Sequence, residues 1–385
     1  VENKYQNNII MKRKTSFFWM LSILMVFAIA MTNCTKEGPA GPAGADGVDG
    51  VDGTDGTDGV DGNSTCLVCH TQANMDAIAA SYAATNHASG TSFAYAGGRD
   101  DCAYCHSNDG FVEFARSGQK ITPAVATSLS CKACHNSHVS LEEGIGAPLY
   151  YFESVASLTA EGAAYNYEGG NLCATCHQAR RGPDSYYKDV DLTYNVKFTG
   201  DDIALYQAHG AIGPNGTMEL IGDTLFVTFD VPAATHTYTN NTHAGPHHGP
   251  QANIIAADIG SVAGVAYERH IDCSGCHLGN SEAGSGHTFV PDINACDECH
   301  GDAVDVSGEM QAVAERLAAI EMALENIGAI HVAEDGIHPM IASLPTDQWN
   351  AFWNFMCLYE DNSHGIHNIV YAKQLLNQAE AALGL

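Results

Sequence analysis

The chain has 385 residues, with 45 Asp and Glu against 16 Lys and Arg, a formal net charge of −29, and 14 cysteines. This acid excess makes nucleic acid and anionic lipid surfaces poor partners, because like charge repels before contact. Basic redox proteins and metal cations fit as partners, and the alternative is that the acidity simply keeps an exported protein soluble.

In chain order, Val1 to Ile10 reads as upstream translation and Met11 as the start. Lys12, Arg13 and Lys14 form a basic n-region ahead of the apolar run Phe17 to Met31, so residues 1–33 read as an export signal. The run is short for a spanning helix, and no second hydrophobic segment follows it. Without this segment the net charge is −32. Cys34 stands just behind the run and resembles a bacterial lipoprotein cleavage site, although Met31-Thr32-Asn33 departs from the usual small residues. A lipid anchor at Cys34 is the expectation, with ordinary secretion the alternative.

Residues 38–64 repeat Gly-x-y nine times, with Asp46, Asp49, Asp52, Asp55, Asp58 and Asp61 in third position. Strict glycine periodicity is the collagen signature. Only two prolines occur, however, and three such strands would gather eighteen carboxylates with no lysine among them. Residues 34–64 therefore read as an anchor cysteine and a self-repelling spacer, reaching up to roughly 80 Å when extended. A trimerising stalk is the other reading.

Twelve cysteines fall into six copies of Cys-x-x-Cys-His. In order these are Cys66, Cys69 and His70; Cys102, Cys105 and His106; Cys131, Cys134 and His135; Cys173, Cys176 and His177; Cys273, Cys276 and His277; and Cys296, Cys299 and His300. A lone Cys-x-x-Cys is more often half a zinc site or a redox dithiol. Neither needs the histidine that follows all six copies here. Two thiols three positions apart can each form a thioether to haem while the adjacent imidazole reaches the iron, so six c-type haems are expected. Such attachment belongs outside the cytoplasm.

The motifs lie within residues 65–305, about forty residues per haem, so the porphyrins should supply much of the interior and regular structure should be sparse. An insertion near 215–235 holds an expected hairpin: Met218 to Ile221, a Gly222-Asp223 turn, and Thr224 to Val231. Residues 306–385 read as helical. Met310, Val313, Leu317, Ile320, Leu324 and Ile327 recur at spacings of three and four behind Ser307 as N-cap. A second helix is expected after Pro345-Thr346 and a third from near Asn368 to Leu383. The apolar seam suits internal packing better than a subunit interface, and Cys357 reads as a buried apolar residue.

Thirteen of the nineteen histidines lie outside the motifs, enough to give all six irons a second imidazole. An iron closed by two imidazoles transfers electrons and does little else.

The chain resembles the multihaem c-type cytochromes of bacterial respiration over residues 66–380. The resemblance rests on Asn86-His87-Ala88, Cys105-His106 leading to Gly110-Phe111, Cys134-His135-Asn136-Ser137-His138, Asn171-Leu172-Cys173, Pro246-His247-His248-Gly249-Pro250-Gln251, Gly286-His287-Thr288-Phe289 and Gly365-Ile366-His367-Asn368. It implies a mainly α and irregular multihaem cytochrome c fold, with a small β-hairpin insertion and C-terminal helices. It also nominates His87, His138, His270 and His287 as distal ligands, then His247 or His248, and His367. His209, His236, His243, His331, His338 and His364 are reserves.

That family contains carriers and also nitrite, hydroxylamine and tetrathionate enzymes, whose catalytic haem is sometimes marked by a Cys-x-x-Cys-Lys variant. Here all six motifs end in His, which favours a carrier over an enzyme with one open haem. Arg180 and Arg181 suit a propionate better than an oxyanion. A filament subunit, with haems stacked end to end, is a third reading. Expected partners are redox proteins or extracellular acceptors, from an anchor at the periplasmic or outer face of the outer membrane or from the medium.

Overall fold

The computed structural model describes residues 71–136, 149–186, 192–209, 216–247, 249–267, 273–278, 286–296, 301 and 305–385, all within one compact unit, Val60–Leu385. The export signal, Cys34 and the spacer lie outside the described residues. So do all three residues of the first motif, Cys66, Cys69 and His70, together with Cys299 and His300 of the sixth. Among the nominated distal ligands, His138, His248 and His270 also fall outside them.

The C-terminal helices follow from their apolar patterns. Val306–Asn326 buries Val313, Leu317, Ile320 and Leu324 along one stripe. Its N-cap is Asp305, whose carboxylate accepts the Gly308 N–H at 2.8 Å, and the expected cap Ser307 lies inside the first turn. A carboxylate both accepts that bond and complements the positive end of the helix, which a hydroxyl does not. Thr346–Asp361 starts directly after Pro345 and buries Trp349, Phe352, Trp353, Phe355, Met356 and Cys357. Ile369–Leu383 is capped by Asn368, which accepts the Tyr371 N–H at 3.1 Å.

The three helices share one core with Ile254 and Ile259, so the seam is filled within the chain. Several polar groups in this core are paired, although the buried Trp349 Nε1–H has no partner among the described residues. Trp353 Nε1–H donates to the Ile259 carbonyl at 2.6 Å. Tyr371 Oη donates to the Val262 carbonyl at 2.7 Å and accepts the Gly260 N–H at 2.7 Å. On the surface, Arg316 grips both carboxylate oxygens of Glu380 at 2.6 and 2.7 Å.

Residues 306–385 are not wholly helical, which corrects the sequence expectation. Ile330–Ala333 pairs antiparallel with Gly336–Pro339. Ala342–Pro345 pairs with His236–Thr239, about a hundred residues earlier. Four-residue strands carry too little alternation to be read locally, and the second pairing exists only through tertiary contact.

The insertion also exceeds the expected hairpin. Thr217–Ile221 and Thr224–Val231 turn about Gly222, whose φ of 63° suits glycine. Leu192–Thr199 pairs along the other edge of Thr224–Val231, giving three antiparallel strands. The central strand buries Leu225, Val227, Phe229 and Val231 on alternate positions, as a one-sided sheet requires. Phe198, Tyr206, Tyr238 and Met340 complete this core.

Between residues 71 and 136 the chain forms short helices: Gln72–Ala83, Asn86–Ser89, Phe93–Ala96, Asp100–His106, Asn108–Ser117 and the single turn Cys131–Cys134. Among the described residues no helix is long and apolar enough to cross a membrane.

Candidate metal centres

The second to fifth Cys-x-x-Cys-His segments are each wound into about one helical turn. Asp100–His106 and Cys273–His277 contain their motifs whole, Cys131–Cys134 ends just before His135, and Asn171–Ala174 opens the fourth motif at Cys173. The His135 N–H donates to the Cys131 carbonyl at 2.8 Å and the His177 N–H to the Cys173 carbonyl at 2.9 Å. This is the i to i−4 bond of a helix, so the spacing brings two thiols and one imidazole onto a single turn. In the fifth motif Cys273 and Cys276 are both half-buried on the turn that ends at His277. The Cys276 carbonyl accepts the Asp292 N–H at 2.9 Å, which ties this turn to the approach of the sixth motif. Cys296 of the sixth motif closes the short 3-10 helix Ile293–Cys296. The first motif's Cys66, Cys69 and His70 belong to the undescribed part of the chain and enter no geometry below.

Side-chain amides fix those turns. Asn108 accepts from the Ser130 N–H at 3.1 Å and the Ser130 hydroxyl at 2.7 Å, binding the helix behind the second motif to the start of the third. Asn171 accepts the Tyr167 N–H at 2.6 Å and donates to the Phe152 carbonyl at 2.8 Å. Both amides are buried, where an unmade bond would cost about 1–3 kcal/mol.

The motifs also touch one another. Cys105 and Cys176 share a hydrogen bond, which holds the Cys105 thiol below its usual pKa and, with burial, pushes Cys176 well above. The Cys273 thiol faces the Gly170 carbonyl at 4.0 Å, at the head of the fourth motif's turn. Arg180 follows the fourth motif in sequence, yet its guanidinium lies 3.5 Å from Cys102 Sγ of the second.

Three motif histidines are each faced by a histidine from outside any motif. The ring centres of His87 and His177 are 6.0 Å apart, those of His135 and His287 6.1 Å, and those of His277 and His367 6.3 Å. A ligating imidazole nitrogen lies about 2 Å from its metal, so two imidazoles on opposite sides of one ion have ring centres about 6 Å apart. All three pairs meet that separation. Each offers two donors, half of what zinc takes, whereas an iron already held by four porphyrin nitrogens needs two more. Among the described residues no three His, Cys, Asp or Glu side chains gather to hold a bare ion. The donor set therefore fits haem.

Neutral imidazole is the ligating form, and the surroundings favour it. Burial lowers the pKa of His87, His106 and His287. His177 is partly exposed, and desolvation with the neighbouring His87 brings its pKa down to about 4. The outer ring nitrogens have distinct partners. His177 Nδ1 meets Gln251 Oε1 at 3.2 Å, His277 Nδ1 donates to the Phe289 carbonyl at 3.0 Å, and His367 Nδ1 meets Asp361 Oδ1 at 2.7 Å. Phe289 sits at a φ of 56°, strained for an aromatic residue, with its ring edge-on to His87 at 4.8 Å.

His247, at a φ of 57°, is held beside the fourth motif because the Arg180 and Arg181 N–H groups donate to the Pro246 carbonyl at 2.9 and 3.1 Å. Burial and then Arg181, Arg180, His243 and His106 lower its pKa, which puts it in the field of the second motif's histidine. The reserves His331 and His338 face each other across a strand pair and meet Glu325 and Asp335 instead. Sequence reasoning missed Asp361, whose sign was a carboxylate six residues before His367. It quoted Gln251 without giving it a role.

No family model and no curated protein matches the chain. Two solved structures resemble it. One is the outer cell wall cytochrome OcwA, at 16% identity and a TM-score of 0.42, covering 79% of this chain and 49% of that one. The other is the undecahaem cytochrome from the S-layer of Carboxydothermus ferrireducens, at 18% identity and a TM-score of 0.40, covering 74% of this chain and 38% of that one. The chain thus spans half or less of the length of either.

Proposed function

We propose that this chain is an exported multihaem c-type cytochrome that carries electrons along six covalently held haems, each closed by two imidazoles. The observation that carries the reading is the set of three opposed histidine pairs, each joining one Cys-x-x-Cys-His imidazole to one from elsewhere in the chain.

On this reading His177, His135 and His277 are proximal ligands, and His87, His287 and His367 are their distal partners. His247 is the candidate partner of His106, and the other nominated ligands His138, His248 and His270 lie outside the described residues. Haem supplies one-electron chemistry at iron, and a second imidazole leaves no position for a substrate. Burial favours the neutral form of His87, His106, His177 and His287, and hydrogen bonds at Nδ1 aim His177, His277 and His367. It also sets the attachment points of the second, fourth and fifth motifs side by side, through Cys105 against Cys176 and Cys273 against Gly170. The acidic surface favours basic redox proteins or ferric chelates as partners. A lipid anchor at Cys34 and the Gly-x-y spacer would let the haem domain reach them from the outer membrane, as a single unit or within a filament.

Denaturing mass spectrometry with pyridine haemochrome quantitation tests the proposal. Six covalent haems per chain is the expected result, and four or fewer would overturn it.

A further inference from the structure

Resting on that reading, we infer that Asp361 is a positioning residue that makes the His277/His367 centre more reducing than the His87/His177 centre. The three outer nitrogens with described acceptors differ in kind. His177 meets a neutral side-chain amide and His277 a backbone carbonyl, but His367 meets a carboxylate. The Asp361 side chain is fully buried, and its hydrogen-bond partners are His367 Nδ1 and the Ser363 hydroxyl. Among the described residues its only ion-pair partner is His367.

A buried carboxylate needs a positive counterpart, because burial removes its hydration. Across one imidazole from the metal, the available positive charge is the iron's, and ferric iron carries one unit more than ferrous. The carboxylate therefore stabilises the oxidised form, both through space and by drawing the Nδ1 proton so that the imidazole becomes a stronger donor. One-electron reduction of ferric to ferrous iron at this centre is made less favourable. The neutral Gln251 amide carries no net charge and draws the His177 Nδ1 proton more weakly.

The backbone holds this arrangement in place. The Thr346–Asp361 helix ends at Asp361, and the chain reverses through Asn362, His364 and Gly365 at φ of 54°, 48° and 85°. A Cβ on Gly365 would press on Ala372 at 3.0 Å in a conformation that already favours glycine, so the reversal is specific. It returns His367 onto Asp361, and the His367 N–H also donates to the Ser363 hydroxyl at 3.4 Å. Gln251 spans the two centres, because its Nε2 donates to the Asp361 carbonyl at 3.1 Å while its Oε1 meets His177.

The test is a redox titration of the six-haem holoprotein, followed by low-temperature paramagnetic resonance of each low-spin iron, on wild type, Asp361→Asn and Gln251→Glu. Asp361→Asn keeps shape and removes charge. It should raise one midpoint by a factor of ten or more in the reduction equilibrium, about 59 mV for one electron, and alter one set of g-values. Gln251→Glu should lower a different midpoint, and it also serves if Asp361→Asn does not fold. A six-haem Asp361→Asn protein with unchanged midpoints overturns the inference, as does a uniform shift of all of them or conversion of an iron to high spin. An unchanged titration of Gln251→Glu overturns it too. Loss of haem content in the wild type itself would instead strike the proposed function.

Discussion

Replacing His287 with alanine should open one iron and leave the remainder closed. The His287 ring centre is 6.1 Å from that of His135, and an alanine methyl cannot span such a gap to a metal. His287 Nδ1 is buried and has no hydrogen-bond partner among the described residues, so truncation strands no described donor or acceptor there. The direct cost to folding is the lost burial of a half-covered ring, on the order of 1–2 kcal/mol. About one sixth of the iron should pass from low-spin to high-spin in ferric protein, and the same fraction of ferrous protein should bind carbon monoxide. Paramagnetic resonance measures the first and a carbon monoxide difference spectrum the second. Added imidazole should restore the low-spin signal. A His287→Ala protein that stays wholly low-spin and silent to carbon monoxide would refute the pairing with His135.

Other outcomes follow from the same geometry. His331→Ala should leave every iron low-spin, since His331 faces His338 across a strand pair rather than a motif histidine; near-infrared magnetic circular dichroism checks this. Trp353→Phe keeps the apolar core but leaves the buried Ile259 carbonyl without its 2.6 Å donor, so thermal unfolding should show a loss of about 1–3 kcal/mol. Arg316→Ala removes a partly exposed ion pair with Glu380 and should cost no more than about 1 kcal/mol in the same measurement. Protein reduced with a viologen donor should pass electrons quickly to a cytochrome or ferric chelate. It should show no sustained turnover of nitrite, hydroxylamine or tetrathionate, and rates on the order of 10 per second would favour the reductase reading.

What could be read from sequence was what is encoded locally. The Cys-x-x-Cys-His turns are complete within five residues, and the stripe of Val313, Leu317, Ile320 and Leu324 states a helix and its buried face. The Gly222-Asp223 turn states a hairpin. Motif context singles out His87, His287 and His367, each of which faces a motif histidine in the structure. Which motif each one meets was not legible, because His87 crosses to the fourth motif, His287 to the third and His367 to the fifth. Such pairings are set by tertiary closure and leave no mark on spacing. The same holds for the strand Ala342–Pro345, which finds its partner at His236–Thr239, and for Asp361, whose role exists only once the chain has reversed.

The three histidine pairs join positions 90, 152 and 90 residues apart in the chain. On the proposed reading each iron is then a rivet between remote stretches of polypeptide. In a chain-entropy account, closing a loop of about 100 residues removes on the order of 4–5 kcal/mol of freedom from the unfolded state. On that reading, export from the N-terminus would deliver His87 before His177, and the turn at His135 would wait for a further 152 residues before His287 arrives. Haem loading would therefore precede the final closure at that centre. Maturation of this protein would be an ordered sequence of fastenings, with the chain reversal that carries His367 as its last clasp.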